Sequence, residues 1–266
     1  MTPQAAKDAA AALDEAERTR KQIGLLSLRY PGMTMDDAYA VQGAWTAKKL
    51  ADGRRIIGRK IGLTSKAMQQ ALNIDIPDSG ILFDDMLFEN GATIAKDRFI
   101  QPRIEAEIAF VMKSDLAGPD VTVDDVLAAT NYVTPSLEIL DTRILRVDPE
   151  TKKTRNICDT IADNAADAGI VIGDQKLDPH QIDMRWIGAI VLRDGEVEET
   201  GLGAGVLNDP AAGIAWLANR LAIYGDSIRA GEIVLSGSFV RPVEAPSGSH
   251  IVADFGPYGT VECRFA

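Results

Sequence analysis

The chain has 266 residues, of which 46% are hydrophobic and 25% are charged, a composition typical of a globular protein. Its 28 basic and 39 acidic residues leave a formal net charge of -11, which argues against nucleic acid as a partner, because phosphate binding needs a basic surface. No apolar run approaches the about eighteen residues that a membrane-spanning helix needs, so no membrane association is expected.

The N-terminus lacks the apolar core of a signal peptide, because charged residues are mixed with its alanines. The two cysteines, Cys158 and Cys263, do not make a disulfide framework and fit a reducing compartment. We therefore expect a cytoplasmic protein.

Residues 1–55 predict a helical N-terminal region. Thr2 and Pro3 can cap and start an alanine-rich helix, which the Pro31-Gly32 pair ends. Thr34 then caps a second helix with acidic residues in its first turn, and an apolar stripe follows at Ala38, Val41 and Trp45.

From Ile56 onward the periodicity predicts short strands. Asp194-Gly195 is typical of a tight hairpin turn, and Asp209-Pro210 predicts the start of a helix that Gly225 ends. Further strands are expected within residues 231–243 and 250–265. The pattern indicates an α+β fold, with the helical region at 1–55 and a strand-rich body at 56–266.

Two glutamates one residue apart stand out in the segment 103–110. The segment alternates, so a strand would project Glu105 and Glu107 from one face while Ile104, Ala106, Ile108 and Phe110 occupy the other. A third glutamate, Glu138, lies in another apolar, strand-like run. Such a pair alone is often only a solvated strand face, but three converging carboxylates suit a hard divalent cation such as Mg²⁺, with Mn²⁺ as an alternative.

Four runs carry a resemblance to a known family: residues 58–65, 102–107, 135–138 and 159–166. In order and spacing, they resemble the hydratase/decarboxylase branch of the fumarylacetoacetate hydrolase superfamily across nearly the whole chain. The resemblance implies that superfamily's mixed β-sheet-rich catalytic body, a Mg²⁺ site at Glu105, Glu107 and Glu138, a small anionic 2-oxo acid substrate and a homo-oligomer. Three further segments make the resemblance more specific, pointing to hydratases of a seven-carbon 2-oxo diacid in homoprotocatechuate breakdown. They are residues 148–151, 184–187 and 237–242.

The resemblance also implies catalytic roles for Lys60 and Asp78, although it does not settle which is the acid and which the base. Lys60 lies between Gly58 and Gly62, where the backbone can approach another group closely, but a surface lysine in a loop is the plain alternative. Asp78 could activate the water that is added, or could serve ordinary turn chemistry after Pro77.

Substrate-binding candidates are Thr64, Ser65 and Arg241. The two hydroxyls could bind a substrate carboxylate or could cap a helix beginning at residues 66–69. Arg241 is the candidate for a distal carboxylate, since a guanidinium binds carboxylates through two parallel hydrogen bonds, but it could be an exposed arginine at a strand end. Arg143 and Arg185 are rivals for that role.

Three other functions compete with the diacid hydratase. One is a 4-oxalocrotonate-type decarboxylase, which the presence of Asp78 and the run at 239–242 disfavour. Another is a 2-hydroxypentadienoate hydratase. A non-catalytic, metal-binding partner subunit is the third, and the intact set of Lys60, Asp78 and three glutamates argues against it.

Overall fold

The computed structural model describes residues 1–65, 69 and 76–266, and these begin with three helices. They are α1 (Pro3–Thr19), α2 (Leu26–Arg29) and α3 (Met35–Ala51). The Thr2 side chain caps α1 as predicted, but the helix ends well before Pro31, because Arg20 adopts a left-handed conformation with φ 57°. No helix in the described part of the chain is both long and apolar enough to cross a membrane.

The cap of α3 is the predicted one. Thr34 and Asp37 bond each other's backbone N–H groups in a capping box, which satisfies donors that the first helical turn leaves free. The predicted stripe of Ala38, Val41 and Trp45 is buried. Trp45 meets Phe83 edge-on, with ring centroids 5.6 Å apart.

Eight of the described strands form the larger sheet: β1 (Ile56–Gly62), β2 (Asp78–Phe83), β3 (Leu87–Glu89), β5 (Arg103–Met112), β6 (Thr130–Leu140), β7 (Asp167–Ile172), β10 (Ile233–Leu235) and β11 (Val243–Glu244). Their order is β2-β1-β10-β5-β6-β7-β3, with β11 paired to β5. β5 pairs antiparallel with both β6 and β10, whereas β1 is parallel to β10. The long strands β5 and β6 therefore lie in the middle of the sheet.

The smaller sheet contains β4 (Ala92–Ile94), β8 (Gly188–Arg193), β9 (Glu196–Leu202), β12 (His250–Asp254) and β13 (Thr260–Phe265), in the order β4-β13-β12-β8-β9. The predicted hairpin joins β8 to β9 through Asp194 and Gly195, whose φ values are both positive, as a tight turn of this kind requires. Three further α-helices lie in the described part, along with short 3₁₀ helices: α4 (Val123–Ala129), α5 (Ile157–Ala162) and α6 (Pro210–Ala222). Asp209 caps α6 as predicted.

Two hydrophobic cores lie on opposite faces of the larger sheet. One contains Ile104, Ile108 and Phe110 together with residues of the smaller sheet and α6. The other packs the N-terminal helices, through residues such as Trp45, against Leu235 and its neighbours. The predicted α+β fold is confirmed, and its layers leave the Glu105 and Glu107 face of β5 turned toward the interior.

Candidate active site

Three glutamates converge at the centre of the larger sheet. Glu105 on β5 stands directly opposite Glu138 on β6, and Glu107 follows one pleat further along β5. One carboxylate oxygen from each residue lies within 4.8 Å of those of the other two. Glu107 and Glu138 are fully buried, so these carboxylates do not form a solvated strand face.

The cluster is electrostatically unsatisfied. Burial, with the charge of Glu138 next, raises the pKa of Glu105 to about 8, and the same two causes raise the pKa of Glu107 well above its ordinary value. Glu107 Oε2 accepts a hydrogen bond from the Gly237 N–H at 2.8 Å. Among the described residues, however, Glu107 Oε1 and Glu138 Oε2 have no hydrogen-bond partner. Buried, unpartnered carboxylate oxygens this close together suit a hard divalent cation.

Lys60 extends from β1 into the same cluster. Its side chain is 3% exposed, and Nζ lies 2.9 Å from Glu138 Oε1. Burial alone would lower the pKa of Lys60, but the charges of Glu138, Asp78, Asp167 and Glu105 outweigh it and raise that pKa. Lys60 is therefore a charged ammonium inside the site and not the surface lysine of the alternative interpretation.

Asp78 is the first residue of β2, and its carboxylate and the Lys60 ammonium both lie beside Gly62. A Cβ placed on Gly62 would lie 2.2 Å from Asp78 Oδ1 and 3.3 Å from Lys60 Nζ, so only glycine leaves room for both groups. Burial is the main cause that raises the pKa of Asp78 to about 6, although the Lys60 charge opposes it. Asp78 is a buried strand residue, which excludes the alternative of a surface turn.

Thr64 borders the cluster from the end of β1. It is buried, and a Cβ on Gly237 would lie 2.3 Å from Thr64 Oγ1, so this hydroxyl sits against the glycine whose N–H bonds Glu107. Ser65 is half-buried. The helix proposed to start at residues 66–69 falls largely outside the described residues, which include only Gln69 of that run.

The arginine candidates lie elsewhere. Arg241 has a side chain 78% exposed, outside the buried cluster, and its guanidinium donates to Glu199. Arg143 is buried, but its donors bond the Asp163 side chain and the backbone oxygens of Asp163 and Asp167. Arg185 is exposed. The positions of these three arginines give no support to a role in binding substrate.

Asp167 is a further acidic group that sequence reasoning missed. It begins β7 and is fully buried, and neither carboxylate oxygen has a partner among the described residues. Burial and the Glu138 charge raise its pKa well above the ordinary value. Its Cβ and Lys60 Cγ lie on the same side of Gly80, at 3.3 and 3.2 Å from where a Cβ there would stand. No pattern in the sequence separates it from an ordinary loop aspartate.

The sequence and the fold are similar to those of known enzymes. The chain is 53% identical over 253 residues to 2-oxo-hept-4-ene-1,7-dioate hydratase of Escherichia coli, covering 95% of each sequence. It is 40% identical over 265 residues to 2-keto-4-pentenoate hydratase of Paraburkholderia xenovorans (strain LB400), covering 100% of this chain and 96% of that enzyme. A solved structure of 4-oxalocrotonate decarboxylase from Pseudomonas putida G7, complexed with magnesium and adipate, matches with a TM-score of 0.94 at 33% identity, covering 100% of this chain and 99% of that one. No model of a protein family matches the sequence.

Proposed function

Since the chain belongs to the hydratase/decarboxylase family of the fumarylacetoacetate hydrolase superfamily and is a hydro-lyase, we propose that it hydrates 2-oxohept-4-ene-1,7-dioate with Mg²⁺ as cofactor. The product would be 4-hydroxy-2-oxoheptanedioate, an intermediate of homoprotocatechuate breakdown. The observation that carries this proposal is the convergence of three buried carboxylates beside one buried ammonium and one further carboxylate.

Glu105, Glu107 and Glu138 would hold the cation, because all three offer carboxylate oxygens and two of these oxygens lack a partner among the described residues. When bound, Mg²⁺ or Mn²⁺ would stabilise negative charge that develops on the 2-oxo acid end of the substrate. Thr64, which is buried beside Gly237, is placed to donate its hydroxyl to the same end. We keep Ser65 as a weaker candidate for that contact.

Lys60 and Asp78 would move the protons. Asp78 takes a proton from C3 while the Lys60 ammonium gives one to C5, which shifts the double bond from C4–C5 to C3–C4, and the proton on Asp78 then passes to Lys60. Water next adds its oxygen to C4, Asp78 takes the proton that this water loses, and Lys60 gives a proton to C3 before it regains one from Asp78. We assign the base role toward water to Asp78, because a pKa near 6 leaves most of its carboxylate ionised at neutral pH, whereas Lys60 is charged.

The nearest rival is a decarboxylase, since an enzyme of that kind has almost the same fold. The higher identity to a hydratase, 53% against 33%, favours hydration. The intact group of Lys60, Asp78 and three glutamates disfavours the non-catalytic partner subunit.

Parallel incubations separate the diacid hydratase from its rivals. The purified, metal-stripped protein is mixed with 2-oxohept-4-ene-1,7-dioate, with and without Mg²⁺, while substrate absorbance, carbon dioxide and the hydrated product are followed. Mg²⁺-dependent formation of the hydrated diacid without carbon dioxide supports the proposal. Carbon dioxide release in a parallel incubation with 4-oxalocrotonate would indicate the decarboxylase, and turnover of 2-hydroxypenta-2,4-dienoate alone would indicate the five-carbon hydratase. No reaction with any of the three substrates would indicate the partner subunit. Glu105→Gln should abolish the Mg²⁺-dependent reaction, whereas Glu196→Gln, on the exposed hairpin, should not affect it.

A further inference from the structure

Asp167 has a buried carboxylate that the fold leaves without a partner. It is the first residue of β7 and is fully buried, and neither carboxylate oxygen accepts a hydrogen bond from a described residue. The Arg143 guanidinium donates to the Asp167 backbone oxygen at 3.1 Å and otherwise to Asp163, so it does not satisfy the Asp167 side chain. A buried carboxylate of this kind is unfavourable unless a cation lies near it.

A strained turn places Asp167. The three residues 164–166 all adopt left-handed conformations, with φ values of 53°, 52° and 61°. Residues other than glycine rarely do so, and three in succession need support from the surrounding structure. The Asn164 side chain supplies it, since it accepts from the Ile81 N–H at 2.8 Å and donates to the Ile81 backbone oxygen at 2.9 Å. The turn is therefore bonded to β2 next to Gly80.

Gly80 lets Asp167 pack beside Lys60. It stands directly opposite Lys60 in the pairing of β1 with β2. A Cβ on Gly80 would lie 2.6 Å from Asn164 O, so only glycine allows the turn to approach this closely. The same Cβ would lie 3.3 Å from Asp167 Cβ and 3.2 Å from Lys60 Cγ, so these two side chains share the space that Gly80 leaves. The Lys60 charge lowers the pKa of Asp167, although burial and the Glu138 charge outweigh it.

Lys60 has donors left for this carboxylate. Its ammonium carries three N–H donors, and the contact with Glu138 Oε1 at 2.9 Å uses one. In the proposed function Glu138 also holds a divalent cation, whose charge would repel the ammonium and oppose the negative charge of Glu138. Asp78 lies near the ammonium too, but it exchanges protons with Lys60 and so cannot anchor it. Asp167 is not one of the clustered glutamates, so its carboxylate is free to contact the ammonium.

We propose that Asp167 is a positioning residue, which holds the Lys60 ammonium in place for proton transfer while the three glutamates hold the cation. This role rests on the proposed function, because that function gives Lys60 its protons to move. A lysine side chain has a flexible four-carbon stem, and proton transfer needs the ammonium in one orientation. A second carboxylate on the far side of Gly80 from the strand backbone of the turn would fix that orientation.

The test is a double-mutant cycle of the wild type, Asp167→Asn, Lys60→Met and the double variant, because asparagine keeps the shape of Asp167 without its charge. At saturating Mg²⁺, Asp167→Asn should lower kcat for the diacid by about 10- to 100-fold, the size of coupling between neighbouring groups, and should leave KM within about threefold. In the Lys60→Met background the same change should have no further effect on kcat, since the ammonium that it positions is absent. Glu89→Gln, an exposed carboxylate on the strand next to β7, is the matched control and should leave kcat unchanged.

Thermal unfolding gives a measurement of the same cycle that does not depend on catalysis. At saturating Mg²⁺, Asp167→Asn should lower the Tm of the otherwise wild-type protein by about 2–4 °C, because it removes the contact with the ammonium. In the Lys60→Met background it should instead raise the Tm, because it removes a buried carboxylate that no longer has a cation beside it.

The outcomes separate this role from the proposed function. If the wild type does not hydrate the diacid, the proposed substrate is wrong, and the Tm cycle still decides the role of Asp167. A change of sign between the two backgrounds supports it, and equal Tm shifts overturn it. Where the wild type is active, an equal loss of kcat in both backgrounds would show that Asp167 acts independently of Lys60 and would also overturn it. Asp167→Ser gives the same cycle if the asparagine variant does not fold.

Discussion

Replacing Glu107 by glutamine should make the metal-free protein more stable and should remove its stabilisation by Mg²⁺. Glu107 is fully buried, Oε1 has no partner among the described residues, and the charges of Glu138 and Glu105 disfavour its ionised form. Glutamine has nearly the same shape. Its carbonyl oxygen can still accept the Gly237 N–H, while its amide NH₂ can donate to the neighbouring carboxylates.

The expected size of the effect follows from the cost of an unpartnered buried group, about 1–3 kcal/mol. We take the lower part of that range, about 1–2 kcal/mol, because the variant leaves Glu105 and Glu138 facing each other. For a chain of this size, each kcal/mol corresponds to about 2–4 °C in Tm, so the metal-free variant should melt about 2–8 °C above the wild type. Mg²⁺ at one hundred times its dissociation constant should stabilise the wild type by about 2.7 kcal/mol, and the variant much less.

The assay is thermal unfolding, followed by calorimetry, in a chelator and across a Mg²⁺ titration. The order of the two Tm values should reverse between the conditions. The variant should have the higher Tm without metal, and the wild type should have the higher Tm at saturating metal. Glu196→Gln, on the exposed hairpin, should leave both curves unchanged. A lower Tm of Glu107→Gln in the chelator would refute the reasoning, because it would mean that the fold itself depends on this carboxylate.

Other changes test the remaining parts of the site. Lys60→Ala should lower kcat by about 10²- to 10⁴-fold, the usual effect of a positioned proton-transfer group, while the Mg²⁺-induced rise in Tm survives; full activity would exclude that role. Gly62→Ala should lower kcat, because its Cβ would meet the Asp78 carboxylate at 2.2 Å, whereas Gly43→Ala, with nothing within 4 Å, should keep activity and raise stability by about 0.5–1 kcal/mol. The pH profile of kcat/KM should fall below about pH 6, because protonation of Asp78 removes the base, and an unchanged acid limb in Asp78→Asn would contradict this assignment.

Local signals in the sequence were sufficient for much of the fold. The cap at Thr34, the turn at Asp194 and the helix start at Asp209 each depend on bonds within a few residues, and the structure contains all three. The first helix shows where this reasoning is insufficient. It ends at Thr19 and not near Pro31, because Arg20 adopts a left-handed conformation, which helix propensity does not reveal.

The candidate site was likewise only partly predictable from the sequence. Strand alternation placed Glu105 and Glu107 on one face, but the pairing of Glu138 with Lys60 depends on strands that are far apart in sequence. Arg241, which the sequence suggested for the distal carboxylate, is instead exposed and paired with Glu199. Whether an arginine is free depends on which carboxylates other residues already occupy, and that can be read only from the packed structure.

The position of the glutamates on β5 is itself an argument for function. This strand has hydrophobic layers on both sides, with Ile104 in one core and Ala109 in the other. A strand enclosed in this way should be apolar on both faces, because burying an unpaired carboxylate is unfavourable. Glu107 therefore makes the fold less stable, as the Glu107→Gln prediction assumes, and its presence requires a compensating interaction. A bound divalent cation would supply that interaction, since its charge would oppose the burial and the mutual repulsion that raise the pKa values of Glu105 and Glu107.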